Sequence, residues 1–140
     1  MSHSYYRVFL HLVFVTKYRQ PLISEGLEKQ LFERITGLFE EEGCKVRAIN
    51  GVEDHLHVLI EANPKKGISE VVRRVKGNTS FWINQNKLTE RRFFWKTGYS
   101  VFSVSDFHVP TIVKYIERQK EHHSRDTQDF SPGRRKNTDD

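Results

Sequence analysis

Residues 55–60 read His-Leu-His-Val-Leu-Ile, and this stretch decides how the rest of the chain is interpreted. A β-strand alternates its side chains between two faces, so the two histidines share one face, roughly 6–7 Å apart along the chain. The aliphatic residues on the other face are Leu56, Val58 and Ile60. The strand therefore predicts one face buried under helices and a second face that carries His55 and His57.

Hydrophobic periodicity outward from this strand predicts three more strands and three helices. Residues 5–15 alternate as a strand, and apolar residues from Leu27 to Phe39 recur at helical spacing up to about Glu42. The remaining elements are a strand at 44–53, a helix at about 68–86, a strand at 99–104 and a helix at about 109–123. Asn50-Gly51 is typical of a turn or bulge in or near the second strand.

The element order β-α-β-β-α-β followed by α indicates an α+β protein with a ferredoxin-like (RRM-like) sandwich. Such a fold packs its helices on one face of an antiparallel sheet, so we expect the other face to be free and to carry the function. We assign residues 1–123 to this single domain. Residues 124–140 are polar and without periodicity, which predicts a flexible tail.

Composition narrows the class of protein. The 140 residues suffice for one domain, and 36% hydrophobic against 29% charged residues excludes a membrane span or a low-complexity tract. Cys44 is the single cysteine, which excludes an internal disulfide framework and fits a cytoplasmic location. The formal net charge of +5 and the pI near 9.4 favour a polyanionic partner.

Two histidines on one face of a rigid strand suit a divalent metal ion, because imidazole binds first-row metals and the strand fixes both ring directions. For a lone His-x-His, an ordinary pair of exposed or core-edge histidines is the commoner outcome. Two ligands are also too few for a metal site, so a third must come from elsewhere.

The last predicted helix carries a tyrosine beside its apolar stripe. Tyr115 and Gln119 are four residues apart and so lie on one face of the helix, at the rim of the stripe formed by Val109, Ile112, Val113 and Ile116. A rim tyrosine can lean on the protein while its hydroxyl meets a substrate, and the amide oxygen of Gln119 can bind a hard divalent cation. By itself the arrangement fits an ordinary rim tyrosine equally well.

Together these motifs resemble the single-tyrosine HUH transposases of small insertion sequences and their REP-associated relatives. His55-Leu56-His57 is similar to the family's His-hydrophobe-His motif, and Tyr115 with Gln119 is similar to its Tyr-x-x-x-Gln helix. Further similar stretches lie at 11–19, 72–77 and 95–100, so the resemblance covers about residues 5–123.

The resemblance implies a ferredoxin-like core that cuts and rejoins single-stranded DNA at hairpin-bearing ends of an insertion sequence. It implies a divalent metal, Mg²⁺ or Mn²⁺, held by His55, His57 and Gln119, with Tyr115 as the nucleophile that forms a 5′-phosphotyrosine. It also implies a homodimer, in which the tyrosine helix of one subunit often completes the histidine pair of the other.

Basic residues outside the apolar stripes are candidates for contacts with DNA phosphates. They are Lys17, Arg19, Arg73, Arg74, Lys76 and Lys96. The rings of Phe93, Phe94 and Trp95 suit either base stacking or packing in a core or dimer interface. Two alternatives remain at this point: a non-catalytic RRM-like nucleic-acid-binding module, and a domesticated HUH nuclease that processes repeats.

Overall fold

A computed structural model describes residues 4–121 of the chain. Its regular elements are β1 (Phe9–Val15), α1 (Glu25–Glu41), β2 (Lys45–Val52), β3 (His55–Glu61), α2 (Ile68–Gln85), β4 (Ser100–Val104) and α3 (Val109–Glu117). The strands form one antiparallel sheet in the order β2-β3-β1-β4. This order confirms the predicted ferredoxin-like α+β fold, and the predicted tail at 124–140 lies outside the described residues.

Helices α1 and α2 cover one face of the sheet and build the main core. The aliphatic face of β3 lies in this core as predicted, with Leu56, Val58 and Ile60 fully buried. The Ser24 hydroxyl caps α1 by accepting a hydrogen bond from the Leu27 amide at 3.2 Å. No helix within residues 4–121 is both long and apolar enough to cross a membrane.

The expectation that the opposite face is free is wrong, because α3 packs across it. Val109 and Ile116 of α3 form a second apolar cluster with Phe9, Ala48 and Leu59 of the sheet. The apolar stripe predicted on the last helix therefore packs against the strands that carry the histidines.

The last helix is shorter than its periodicity indicates. It ends at Glu117 rather than near residue 123, since Arg118 leaves helical geometry at φ −100° and ψ 20°. A further helical turn follows at 119–121 in the described part of the chain. Gln119 lies directly after this break.

The turn or bulge predicted in or near the second strand is present, but it does not lie at Asn50-Gly51 itself. Both residues are paired within β2, opposite His57 and Leu56, and the chain reverses later, at residues 53–54. The irregularity of β2 lies instead between Val46 and Ala48. Gly51 is required for close strand approach, because a Cβ there would lie 2.3 Å from the His55 carbonyl oxygen.

Candidate functional site

The two histidines of β3 lie under α3, on the sheet face opposite the main core. Both side chains are fully buried, with relative exposures of 0%. Their ring centroids are 5.3 Å apart and the ring planes are inclined by 73°. The prediction that His55 and His57 share one face is therefore confirmed, and the buried rings hold fixed positions relative to each other.

Asp54, the last residue before β3, holds the first of these histidines. Its Oδ1 lies 2.8 Å from Nδ1 of His55, and its Oδ2 lies 3.5 Å from Nε of Arg19. An ionised carboxylate only accepts hydrogen bonds, so the hydrogen of this contact is on Nδ1 of His55, and the neutral form of the ring has its lone pair on Nε2. Sequence reasoning missed Asp54, whose only signal was its position directly before the His-Leu-His motif.

A third histidine, His11 of β1, forms a hydrogen bond with His57. Its Nε2 lies 2.8 Å from Nδ1 of His57, and its side chain is 1% exposed. Burial lowers the pKa of the His11 imidazole to about 4, so the ring is neutral at pH 7. Sequence reasoning assigned His11 no role, although it shares the period-two face of Phe9 and Val13.

Tyr115 of α3 completes a cluster of rings on this face. Its ring centroid lies 5.6 Å from that of His57, with the planes 86° apart, and 6.1 Å from that of His11. The side chain is half-buried at the edge of the second apolar cluster, as its predicted rim position requires. The fold thus brings Tyr115 and His57 together within one chain.

Gln119 follows the break after α3 and is buried at 1% exposure. Its Nε2 donates to the Tyr115 carbonyl at 3.3 Å. The chain around it is fastened to β2, where Asn50 Nδ2 donates to the Glu117 carbonyl at 3.1 Å and Lys120 Nζ donates to Asn50 Oδ1 at 2.9 Å. Asn50 is the strand partner of His57, so the chain at Glu117 and Lys120 is anchored to the strand beside the histidines.

A basic groove lies beside the end of β1, with a volume of about 510 Å³. Its lining includes three of the predicted DNA-binding residues, Arg73, Lys76 and Lys96, together with rings of Phe94, Trp95 and Tyr99. Lys17 stands next to it, with Nζ 5.4 Å from the centroid of the Phe94 ring. Four of the six predicted contacts therefore gather in one region.

Lys76 forms hydrogen bonds with backbone carbonyls in the lining of the groove. Its Nζ donates to the Lys96 carbonyl at 2.7 Å and also to the Gly98 carbonyl. Burial lowers the pKa of the Lys76 amine to about 8. Phe93 and Trp95 are core residues, at 0% and 8% exposure, whereas Phe94 is 46% exposed and remains available for stacking.

The other two predicted DNA contacts are engaged inside the chain. Arg74 pairs with Glu41 and Glu42 near the end of α1. Arg19 pairs with Asp54, in a turn where Tyr18 and Arg19 take positive φ values of 58° and 53°. These ion pairs direct Arg19 to the histidine site and Arg74 away from the groove.

Comparison with known proteins decides the family of this chain. A family model described as "Transposase IS200 like" matches residues 4–119. The chain belongs to the IS200-like transposase family. It is accordingly a transposase, an enzyme class that cuts and transfers DNA.

Named relatives of this transposase are similar over most of their length. The ISDra2 transposase TnpA of Deinococcus radiodurans is 26% identical over 119 residues, which cover 81% of this chain and 85% of that protein. The transposase for insertion sequence element IS200 of Salmonella typhimurium is 27% identical over 126 residues, covering 86% and 82%.

Two solved structures share the fold. A crystal structure of a candidate transposase from Deinococcus radiodurans R1 matches with a TM-score of 0.66 at 24% identity, covering 85% of this chain and 96% of that one. A REP-associated tyrosine transposase bound to a REP hairpin matches with a TM-score of 0.67 at 12% identity, covering 91% and 77%.

The side chains of this transposase fit a divalent metal ion. Two buried imidazoles, each held at Nδ1 by a neighbour, present the arrangement typical of metal-bound histidines. Within residues 4–121, no group of three or more His, Cys, Asp or Glu side chains is placed to hold a metal. Gln119, the third ligand that the family resemblance implies, is a buried amide that follows the tyrosine helix.

Proposed function

We propose that this transposase cleaves and rejoins single-stranded DNA at insertion-sequence ends, with Tyr115 as its nucleophile and a divalent metal at His55, His57 and Gln119. The observation that carries the proposal is the Tyr115 ring, 5.6 Å from the His57 ring and within the same chain. This arrangement favours a site in which the tyrosine and the histidines of one subunit act together. We place the activity in the cytoplasm and in the domain of residues 1–123.

The chemistry is an exchange of phosphodiesters. The Tyr115 phenol gives up its proton as its oxygen bonds to the scissile phosphorus, the bond from phosphorus to the 3′-oxygen breaks, and the leaving 3′-oxygen takes up a proton. A divalent cation bound at the site would stabilise negative charge on the phosphate oxygens. Because the 5′-phosphotyrosine retains one phosphodiester bond, a different 3′-hydroxyl can reverse the step and join new strands without ATP.

The basic groove is the surface that we assign to DNA. Arg73 is exposed at its wall, and Lys17 with Phe94 offers a cation beside an exposed ring, which suits a phosphate next to an unpaired base. The structural relative bound to a REP hairpin supports folded single-stranded DNA as the ligand. We also propose that the protein acts as a homodimer, since two strand ends have to be cut and joined.

The test uses single-stranded oligonucleotides covering the DNA on both sides of the coding sequence, incubated with the full chain and Mg²⁺ or Mn²⁺. Wild-type protein should form an adduct that survives denaturing electrophoresis, and Tyr115→Phe should bind the same DNA without forming one. Tyr18→Phe is the matched control, because Tyr18 is 65% exposed and lies outside the ring cluster. An adduct formed by Tyr115→Phe would overturn the nucleophile, and cleavage that survives both EDTA and His57→Ala would overturn the metal.

A further inference from the structure

We infer that His11 is a positioning residue, which holds His57 in the one tautomer whose Nε2 can bind a metal. The inference rests on the proposed function, because it takes His57 as a metal ligand. It starts from a buried hydrogen bond of 2.8 Å between His11 Nε2 and His57 Nδ1.

That hydrogen bond has two possible directions with opposite consequences. If Nδ1 of His57 donates to His11, the lone pair of His57 is on Nε2 and the ring can act as a ligand. If His11 Nε2 donates instead, Nε2 of His57 carries the hydrogen and the ring cannot bind a metal through that atom. His11 therefore controls which nitrogen of His57 is available.

The neighbouring histidine indicates which direction holds. Asp54 accepts from Nδ1 of His55 at 2.8 Å, which leaves the lone pair of His55 on Nε2. His57 is held at the same ring nitrogen, by a side chain that is 1% exposed. When His11 carries its own hydrogen on Nδ1, its Nε2 accepts, and His11 then serves His57 as Asp54 serves His55.

A packing role is the competing account of this residue. The His11 ring lies between Phe102 and Tyr115, with both ring centroids 6.1 Å away, so it also fills space between β4 and α3. An apolar side chain would fill that space without placing a polar ring nitrogen in a buried site. The two accounts differ in what they predict for the His57 tautomer.

The direct test is long-range nitrogen–proton NMR on the full chain labelled with ¹⁵N-histidine and free of metal. His57 should show its hydrogen on Nδ1 in the wild type and a mixture of tautomers in His11→Leu. A wild-type His57 with its hydrogen on Nε2 would overturn the inference without any variant having to fold.

The second measurement is a calorimetric titration of the protein with Mn²⁺. His11→Leu should weaken binding by about 10–100-fold, the usual effect of losing a partner of a metal-bound histidine. Phe9→Leu is the control, because Phe9 is buried on the same face of β1. Equal losses in His11→Leu and Phe9→Leu would establish packing and overturn the inference. Neither measurement uses DNA, so both can be interpreted even if Tyr115 forms no adduct with DNA.

Discussion

On the sheet face covered by α1 and α2, β1 and β3 bury only apolar side chains, whereas on the face covered by α3 the same two strands bury three imidazoles. The first face gains stability from every residue it buries, as with Phe14 and Leu56. The second buries His11, His55 and His57 at 1% exposure or less, and buried polar groups are tolerated only with hydrogen bonds. Alternate residues of one strand thus serve stability and chemistry separately, and substitutions should separate the two.

Adjacent residues of β3 provide the largest contrast. His57→Ala should abolish metal binding and cleavage, because it removes a proposed ligand. Leu56→Ala should instead lower the free energy of unfolding by about 2–5 kcal/mol and leave metal affinity per folded molecule unchanged. Urea unfolding and Mn²⁺ calorimetry on both variants check this. Loss of Mn²⁺ binding in folded Leu56→Ala would show that the two faces are not separable.

The next effect concerns the carboxylate beside the first histidine. Asp54→Asn should weaken Mn²⁺ binding by about 10–100-fold, because the amide can present its NH₂ group to Nδ1 of His55 and no longer fixes the tautomer. Asp106→Asn is the control, since Asp106 pairs with Arg7 at the protein surface. Calorimetry on the three proteins measures the difference. Equal affinity in wild type and Asp54→Asn would remove Asp54 from the site.

Two consecutive arginines of α2 test the groove. Arg73→Gln should weaken single-stranded DNA binding by about 3–10-fold and reduce the salt dependence by about one phosphate contact. Arg74→Gln should change both much less, because Glu41 and Glu42 already neutralise Arg74. Fluorescence anisotropy across a salt series gives both quantities. A larger effect from Arg74→Gln would place the DNA on the other side of the helix.

The smallest predicted effect is the pH dependence of the unfolding free energy that arises from the half-buried amine of Lys76. Its pKa is lowered from 10.5 to about 8 in the folded chain, so the unfolded chain binds more protons between those values. Stability should therefore rise with pH in that window, by about 0.5–1 kcal/mol once solvent screening of a partly exposed group is allowed for. Urea unfolding of wild type and Lys76→Met from pH 7.5 to 10 measures it. A difference in unfolding free energy between wild type and Lys76→Met that does not change with pH would contradict the lowered pKa of Lys76.

The fold was predictable because local periodicity carries it. Alternation in β3 and helical spacing in α1 place each apolar residue without knowledge of its partners. Asn50-Gly51 misled because its glycine serves strand approach rather than a turn. The end of the last helix was missed because Arg118 has no helix-breaking character, and the tertiary bonds of Asn50 hold the chain beyond it.

The candidate site was predictable only in part. His55, His57, Tyr115 and Gln119 could be named because they are close in sequence or fit a known motif. His11 lies 46 positions from its partner His57 and meets it diagonally across two strands, a relation that strand pairing alone defines. The pairing of Arg74 with Glu41 and Glu42 was equally unpredictable, because it depends on the packing of two helices.

The most direct test of the central claim is to locate the DNA on the protein. The covalent adduct is digested with nuclease and trypsin, and the modified peptide is sequenced by mass spectrometry. The account predicts a nucleotide joined through its 5′-phosphate to Tyr115, within the tryptic peptide of residues 115–118. A nucleotide on any other residue, or one joined through a 3′-phosphate, would contradict it.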